Sequence, residues 1–177
     1  MLIAETERLL IREFESSDKP ALSKILGDPE VMEFSSKGAL TEADTARFVE
    51  SCRHSYQKFG YGQWALIEKK SEKLIGFCGL SHATVNGVEE VEVAYRLAKE
   101  RWENGLSTEA AQKVLEHGFS VCHIKSVVGI VSPRHKASMR VLEKCGFQSF
   151  SETHYCGWEA RVYRMSDHDW KSYNNRT

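Results

Sequence analysis

The sequence lacks a long hydrophobic run: nowhere in its 177 residues do 18 apolar side chains follow one another, so no membrane-spanning helix is expected. The opening Met1-Leu2-Ile3-Ala4-Glu5-Thr6-Glu7-Arg8 has acidic residues where a signal peptide needs a basic start and an apolar stretch. A cytoplasmic protein is expected. Cysteine is sparse and unpaired in pattern, with five residues (Cys52, Cys78, Cys122, Cys145, Cys156) and no C-x-x-C, which argues for reduced, mostly buried thiols. Seven histidines form no H-x-H or H-x-x-x-H pair, so no metal site is expected. Neither sign of charge dominates, since 24 Lys+Arg nearly cancel 25 Asp+Glu to leave −1. That balance provides no global field to gather nucleic acid or an anionic membrane. Only 3 Pro and 12 Gly beside 41% hydrophobic residues exclude collagen-like and disordered chains, and the absence of G-x-x-x-x-G-K excludes a P-loop nucleotidase.

What is present has the period of a mixed α/β chain, a single domain over residues 1–177 with no internal repeat or long linker. Leu9-Leu10-Ile11 reads as an opening strand, and Ser17-Asp18 caps a helix from Lys19 to Leu26. Thr41 and Asp44 resemble a capping box for a longer helix that runs to Gly60, with Ala46, Val49, Cys52 and Tyr56 on one face. Apolar runs at 64–67, 74–80 and 91–95 suit three antiparallel strands, the last two joined at Asn86-Gly87. Past Gly105 the spacing of Ala111, Val114, Leu115, Gly118, Phe119 and Cys122 predicts a helix. Ser126 to Val131 reads as a buried strand, Ala137 to Cys145 as a helix, and Phe147 to Met165 as paired strands. Antiparallel strands followed by a β-α-β unit imply a mixed, mostly antiparallel sheet with helices on both faces.

The strand ending at Leu97, the loop 98–104 and the helix beginning near Gly105 form a corner where unpaired N–H groups and a helix dipole favour an anion. Lys99 and Arg101 precede that turn, and Arg134-His135-Lys136 occupy the matching corner after the next strand. A phosphate-rich ligand and a merely solvated charged loop are both compatible with that pattern.

The stretch Val91-Glu92-Val93-Ala94-Tyr95-Arg96-Leu97 with Trp102-Glu103-Asn104-Gly105-Leu106-Ser107-Thr108-Glu109-Ala110 resembles the acetyl-coenzyme A motif of the GNAT acetyltransferase superfamily. It is closest in form to the RimJ/RimL-like, ribosomal-protein N-terminal branch, which reads E-hydrophobic-G-Y-x-L and then W-G-x-G-x-A-T-E-A. The segment His135-Lys136-Ala137-Ser138 through Leu142-Glu143-Lys144-Cys145-Gly146-Phe147 is similar to the branch's N-x-A-S-x-x-x-L-E-K-x-G-F. Thr6-Glu7-Arg8-Leu9 and the end from Tyr163 to Trp170 also agree, so the resemblance spans nearly the whole chain. Three positions depart from the pattern: Glu103 replaces a usual Gly, Ser107 a Gly or Ala, and His135 an Asn.

The resemblance implies a GNAT-like fold and an enzyme that transfers the acetyl group of acetyl-CoA to a primary amine, with a protein N-terminal α-amine as the leading acceptor. A small-molecule amine acetyltransferase and a non-catalytic acyl-CoA-binding module are the alternatives. At pH 7 an α-amine of pKa about 8 is roughly a tenth neutral, against well under a thousandth for a lysine of pKa about 10.4. Glu92 matches the motif's Glu and is the candidate general base; its other reading is an ordinary strand carboxylate like Glu89 and Glu90. Ser138 is the candidate donor to the departing thiolate, or else a serine capping its helix. The resemblance assigns acetyl-CoA to Val93, Tyr95, Leu97, Trp102, Glu103, Asn104, Gly105, Leu106, Ser107, His135 and Ser138. Glu103 either points away from the phosphates or is neutralised by Arg101 or Lys99, or it is a solvated loop charge that weakens cofactor binding slightly, and the last is the reading favoured. The acceptor is expected to be read by residues 34–61, Trp158 to be a core or rim aromatic, and the protein to be a monomer or homodimer.

Overall fold

A computed structural model describes residues 1–176. Eight strands form one sheet in the order β1-β2-β3-β4-β5-β6-β8-β7. The strands are β1 Leu2–Glu5, β2 Leu9–Arg12, β3 Gln63–Glu68, β4 Lys73–Val85, β5 Val88–Leu97, β6 Ser126–Val131, β7 Phe150–Tyr155 and β8 Trp158–Ser166. Every neighbouring pair is antiparallel except β5 and β6. The helices are α1 Lys19–Leu26, α2 Glu42–Phe59, α3 Leu106–Ser120, α4 Lys136–Lys144 and α5 Asp167–Asn174.

Local chemistry accounts for most boundaries. Thr41 and Asp44 form the expected capping box of α2, which ends at Gly60 in the left-handed conformation (φ 78°). Asn86 and Gly87, both at positive φ, turn β4 into β5. Two elements escape the sequence reading. β1 has mostly exposed or half-buried residues and exists because it pairs with β2, not because it is apolar. α5 buries no residue fully, yet Ser166 and Asp169 cap it with a second capping box.

The sheet separates two cores. Alternation on β4 and β5 sends Cys78, Leu80, Val93, Tyr95 and Leu97 toward α3 and α4, where they join Ala110, Val114 and Leu142. The opposite face carries Ala65 and Phe77 against Leu22, Val49 and Cys52 of α1 and α2. Glu92, Ala94 and Arg96 therefore lie on the α1–α2 side of β5, the side on which the 28–40 loop returns. Closeness of β3 and β4 is strict at Gly79, where an added Cβ would stand 2.2 Å from the Gly62 carbonyl oxygen and 2.5 Å from Gln63 Cα. Gly79→Ala is expected to lower stability by about 1–3 kcal/mol by forcing these strands apart, with a matching fall in the midpoint of denaturant unfolding.

Candidate active site

The parallel strands β5 and β6 share one bridge, Glu92 with Val128, and then part. Beyond Glu92, residues 93–97 keep β4 as their partner but have none in β6, so backbone groups of β5 face an opening in the sheet. The Tyr95 hydroxyl spans that opening to α4, 2.9 Å from Ser138 Oγ and 3.1 Å from the Ser138 carbonyl, to which it donates. Burial pushes the Tyr95 pKa up, so the phenol keeps its proton at neutral pH. Ser138 is thus bound to Tyr95, and α4 has no side-chain cap; the capping alternative for this serine does not hold.

On the α1–α2 side of the opening lies a cavity of about 160 Å³. Glu92, Arg96, His135 and Ser138 line it together with Phe34, Tyr155 and Trp158. Burial pushes the half-buried Glu92 carboxyl up to about 7, against the opposing attraction of Arg96. Burial, and then the positive charge of Arg96, lowers His135 to about 4, so its imidazole is neutral at pH 7. The ring stacks on Phe34 with centroids 4.3 Å apart. Tyr155 is raised to about 12 by burial and then by the Glu92 charge. Trp158, expected at the core or rim, is a wall of this cavity. Tyr163 lies on the other face, buried with its hydroxyl 3.5 Å from Glu143.

The second part of the site is the turn before α3. Gly105 takes the left-handed N-cap position (φ 75°) and offers no side chain, leaving the first N–H groups of α3 without a side-chain partner. Such a helix start holds an anion. Trp102, Glu103 and Asn104 are exposed here, Leu106 is buried and Ser107 is half-buried. The Trp102 indole donates to the Leu97 carbonyl at 3.0 Å, closing the loop on the strand that feeds it.

At this turn Glu103 is the solvated loop charge that the sequence favoured, and it has no cation of its own turn as partner. Lys99 pairs with Glu30 at 2.5 Å and Arg101 with Glu68 at 3.0 Å, so neither neutralises Glu103. Glu103 instead stands in solvent at φ 61°, a left-handed conformation that a Gly there would adopt without strain. The cation at the turn is Arg8. Its Nη1 donates to the Asn104 carbonyl at 2.8 Å and its Nε to Glu109 at 2.7 Å, while Thr6 Oγ1 donates to the same carboxylate at 2.6 Å. Burial alone would raise the Glu109 pKa, but the hydrogen bonds from Thr6 and Arg8 outweigh it and hold the carboxyl below its ordinary value. Sequence reasoning matched Thr6-Glu7-Arg8 and Thr108-Glu109-Ala110 as separate motifs; that one clamps the other was not visible.

The remaining candidates are structural. Cys78 and Cys145 are buried, and burial pushes the Cys145 thiol up to about 12, far from a reactive thiolate. Cys122 is half-buried and Cys156 exposed. Among the described residues no helix is long and apolar enough to cross a membrane, and no group of three His, Cys, Asp or Glu is placed to hold a metal ion.

The strands part after one bridge beside an uncapped helix start, and a cavity lined by one carboxyl, Glu92, lies in the opening. The chain belongs to the GNAT acetyltransferase family, whose acetyltransferase (GNAT) domain profile matches residues 8–148. Among its relatives is the uncharacterized protein YkkB of Bacillus subtilis, 30% identical over 149 residues, 84% of this chain and 86% of YkkB. The fold is shared with a GNAT-family acetyltransferase from Bacillus anthracis (TM-score 0.80, 25% identity, 95% and 99% of the two chains). It is shared too with RimL, a ribosomal alpha-N-protein acetyltransferase in complex with coenzyme A (TM-score 0.75, 15% identity, 94% and 98%). The protein is an acyltransferase of a family that uses acetyl-CoA to acetylate amines.

Arg8→Ala is expected to raise KM for acetyl-CoA about tenfold by freeing the turn, equivalent to about 1.4 kcal/mol. Glu103→Gly removes both the left-handed strain and a carboxylate near the anion site, so it should lower that KM. Steady-state kinetics with acetyl-CoA as the varied substrate checks both.

Proposed function

We propose that residues 1–177 act as one N-acetyltransferase domain that uses acetyl-CoA to acetylate a primary α-amine, with Glu92 as general base. The carrying observation is that the last bridged residue before the strands part is a carboxylate whose pKa burial brings to about 7. A base tuned near the working pH is half available as carboxylate and still accepts a proton readily. An ammonium of pKa about 8 lies close enough to be deprotonated there, whereas a lysine ammonium lies more than three units away.

The opening between β5 and β6 and the uncapped start of α3 fit acetyl-CoA, because one leaves strand backbone without a ladder partner in β6 and the other leaves N–H groups without a side-chain cap. Backbone of Val93, Tyr95 and Leu97 would line the acyl arm, and residues 102–107 with Arg8 would hold the phosphates. When bound, the cofactor supplies the thioester carbonyl that the amine attacks. Glu92 takes the amine proton. A strand N–H in 93–95 stabilises negative charge on the carbonyl oxygen. Tyr95, bonded to Ser138, keeps a proton that the pair can pass to the departing sulfur, an assistance that a thiol of pKa about 8.5 needs only in part. His135 stays neutral and packs against Phe34, which closes the cavity.

A protein N-terminal α-amine remains the leading acceptor, supported by the fold shared with RimL. Glu92→Gln is expected to lower kcat about 10²–10³-fold at pH 7. In the parent enzyme kcat should rise with pH through about 7 as Glu92 loses its proton, and that limb should vanish in the variant. An unchanged kcat and an unchanged pH profile would refute the base role, and calorimetry with CoA separates lost chemistry from lost binding.

A further inference from the structure

Four arginines are half-buried among the described residues, and three of them meet a carboxylate. Arg12 pairs with Asp18 at 2.7 Å, Arg101 with Glu68 at 3.0 Å, and Arg161 reaches Glu152 at 4.0 Å. Arg96 has no carboxylate within 4 Å among the described residues; its Nη1 donates to the Tyr95 carbonyl at 2.8 Å. A guanidinium carries five N–H donors and cannot shed its proton, so a partly desolvated one calls for an anionic partner. Arg96 lines the cavity that also holds Glu92.

We propose that the acceptor is an amine with a carboxylate a few atoms from its nitrogen, and that Arg96 binds this carboxylate while the amine lies toward Glu92. This assignment rests on the acetyl-transfer reading of the cavity and specifies what enters it. The titratable groups facing Arg96 there are Glu92, His135 and Tyr155, of which the last two are neutral at pH 7. Arg96 is therefore the one permanently charged group on the wall. Glu92 and Arg96 project from the same face of β5 four residues apart, roughly 13 Å at Cα, and their side chains approach from opposite ends. A positive end and an acid end match a zwitterion. The volume of about 160 Å³ admits a head group of amino-acid size and little more. Phe34 and Trp158 limit water around the ion pair, which strengthens it. A free amino acid and a peptide with an acidic first residue share this chemistry.

The test compares acceptors that exchange a carboxylate for an amide, with kcat/KM expressed per neutral amine from the titrated amine pKa of each: alanine against alaninamide, and an Asp-Ala-Ala amide against an Asn-Ala-Ala amide. In the parent enzyme kcat/KM is expected to be at least tenfold higher for the charged member of one pair. The amino-acid pair responding assigns the small-molecule source, and the peptide pair responding assigns the protein N-terminus. Arg96→Gln should collapse the charged-to-neutral ratio toward one, and Arg96→Lys should restore part of it. Equal kcat/KM within both pairs overturns the assignment, as does an Arg96→Gln variant that slows both members by the same factor. Calorimetry of CoA-loaded protein with N-acetylalanine and N-acetylalaninamide reads the same preference without turnover. Carboxylate-dependent binding without acetyl transfer to any amine would sink the acetyl-transfer reading and keep the Arg96 assignment. Acetyl transfer with no carboxylate preference would do the reverse, and absence of both refutes both.

Discussion

The single bridge between Glu92 and Val128 is the constraint on which the rest of the site depends. Two parallel strands that stayed paired would bury their backbone groups in the ladder and leave no opening for a ligand. Because β6 turns away toward β8, with which it pairs along its whole length, β5 keeps a free edge inside the sheet. Buried backbone groups need partners, and here the partners come from outside the ladder: Arg96 donates to the Tyr95 carbonyl, and the Tyr95 hydroxyl ties β5 to α4 across the gap. The opening is held by side chains that belong to the site itself.

The helix starts differ in how they are capped. α2 and α5 begin with capping boxes that satisfy their own N–H groups. α1, α3 and α4 begin at Asp18, Gly105 and His135 without side-chain caps. The α4 start, with His135 and Ser138, lines the cavity in the opening, and the turn before α3 is tied to the end of β5 through the Trp102 indole. Arg8 adds fixed positive charge at the α3 turn while Glu109 restrains it, a clamp that links the N-terminal strand region to a turn 96 residues away in sequence.

Much of the fold was legible because its signals are local. Thr41 with Asp44, Asn86 with Gly87, and the helical spacing after Gly105 each specify an element from within a few residues, and the observed ranges agree closely. β1 and α5 were not legible, since their apolar content is low and a neighbour decides them. In the site, Glu92, His135 and Ser138 were found from their motif, and the structure brings them into one cavity. Of the readings of Glu103, the solvated loop charge holds, and neutralisation by Lys99 or Arg101 does not, because these reach Glu30 and Glu68, partners distant in sequence.

Periodicity, turn chemistry and two long motifs were therefore enough, in the sequence alone, to determine the class of fold, the family and the strand that carries the candidate base. They act over short stretches, where side-chain spacing translates directly into local geometry. Tertiary structure alone decided which charges meet. Arg96 is one unremarked letter in a strand until the sheet opens beside it. Trp158 and Phe34, far from each other in the chain, line one cavity, and Glu92 becomes in it a carboxyl with a pKa of about 7. Desolvation and charge pairing depend on what surrounds a group in space, and that is settled only when distant segments pack.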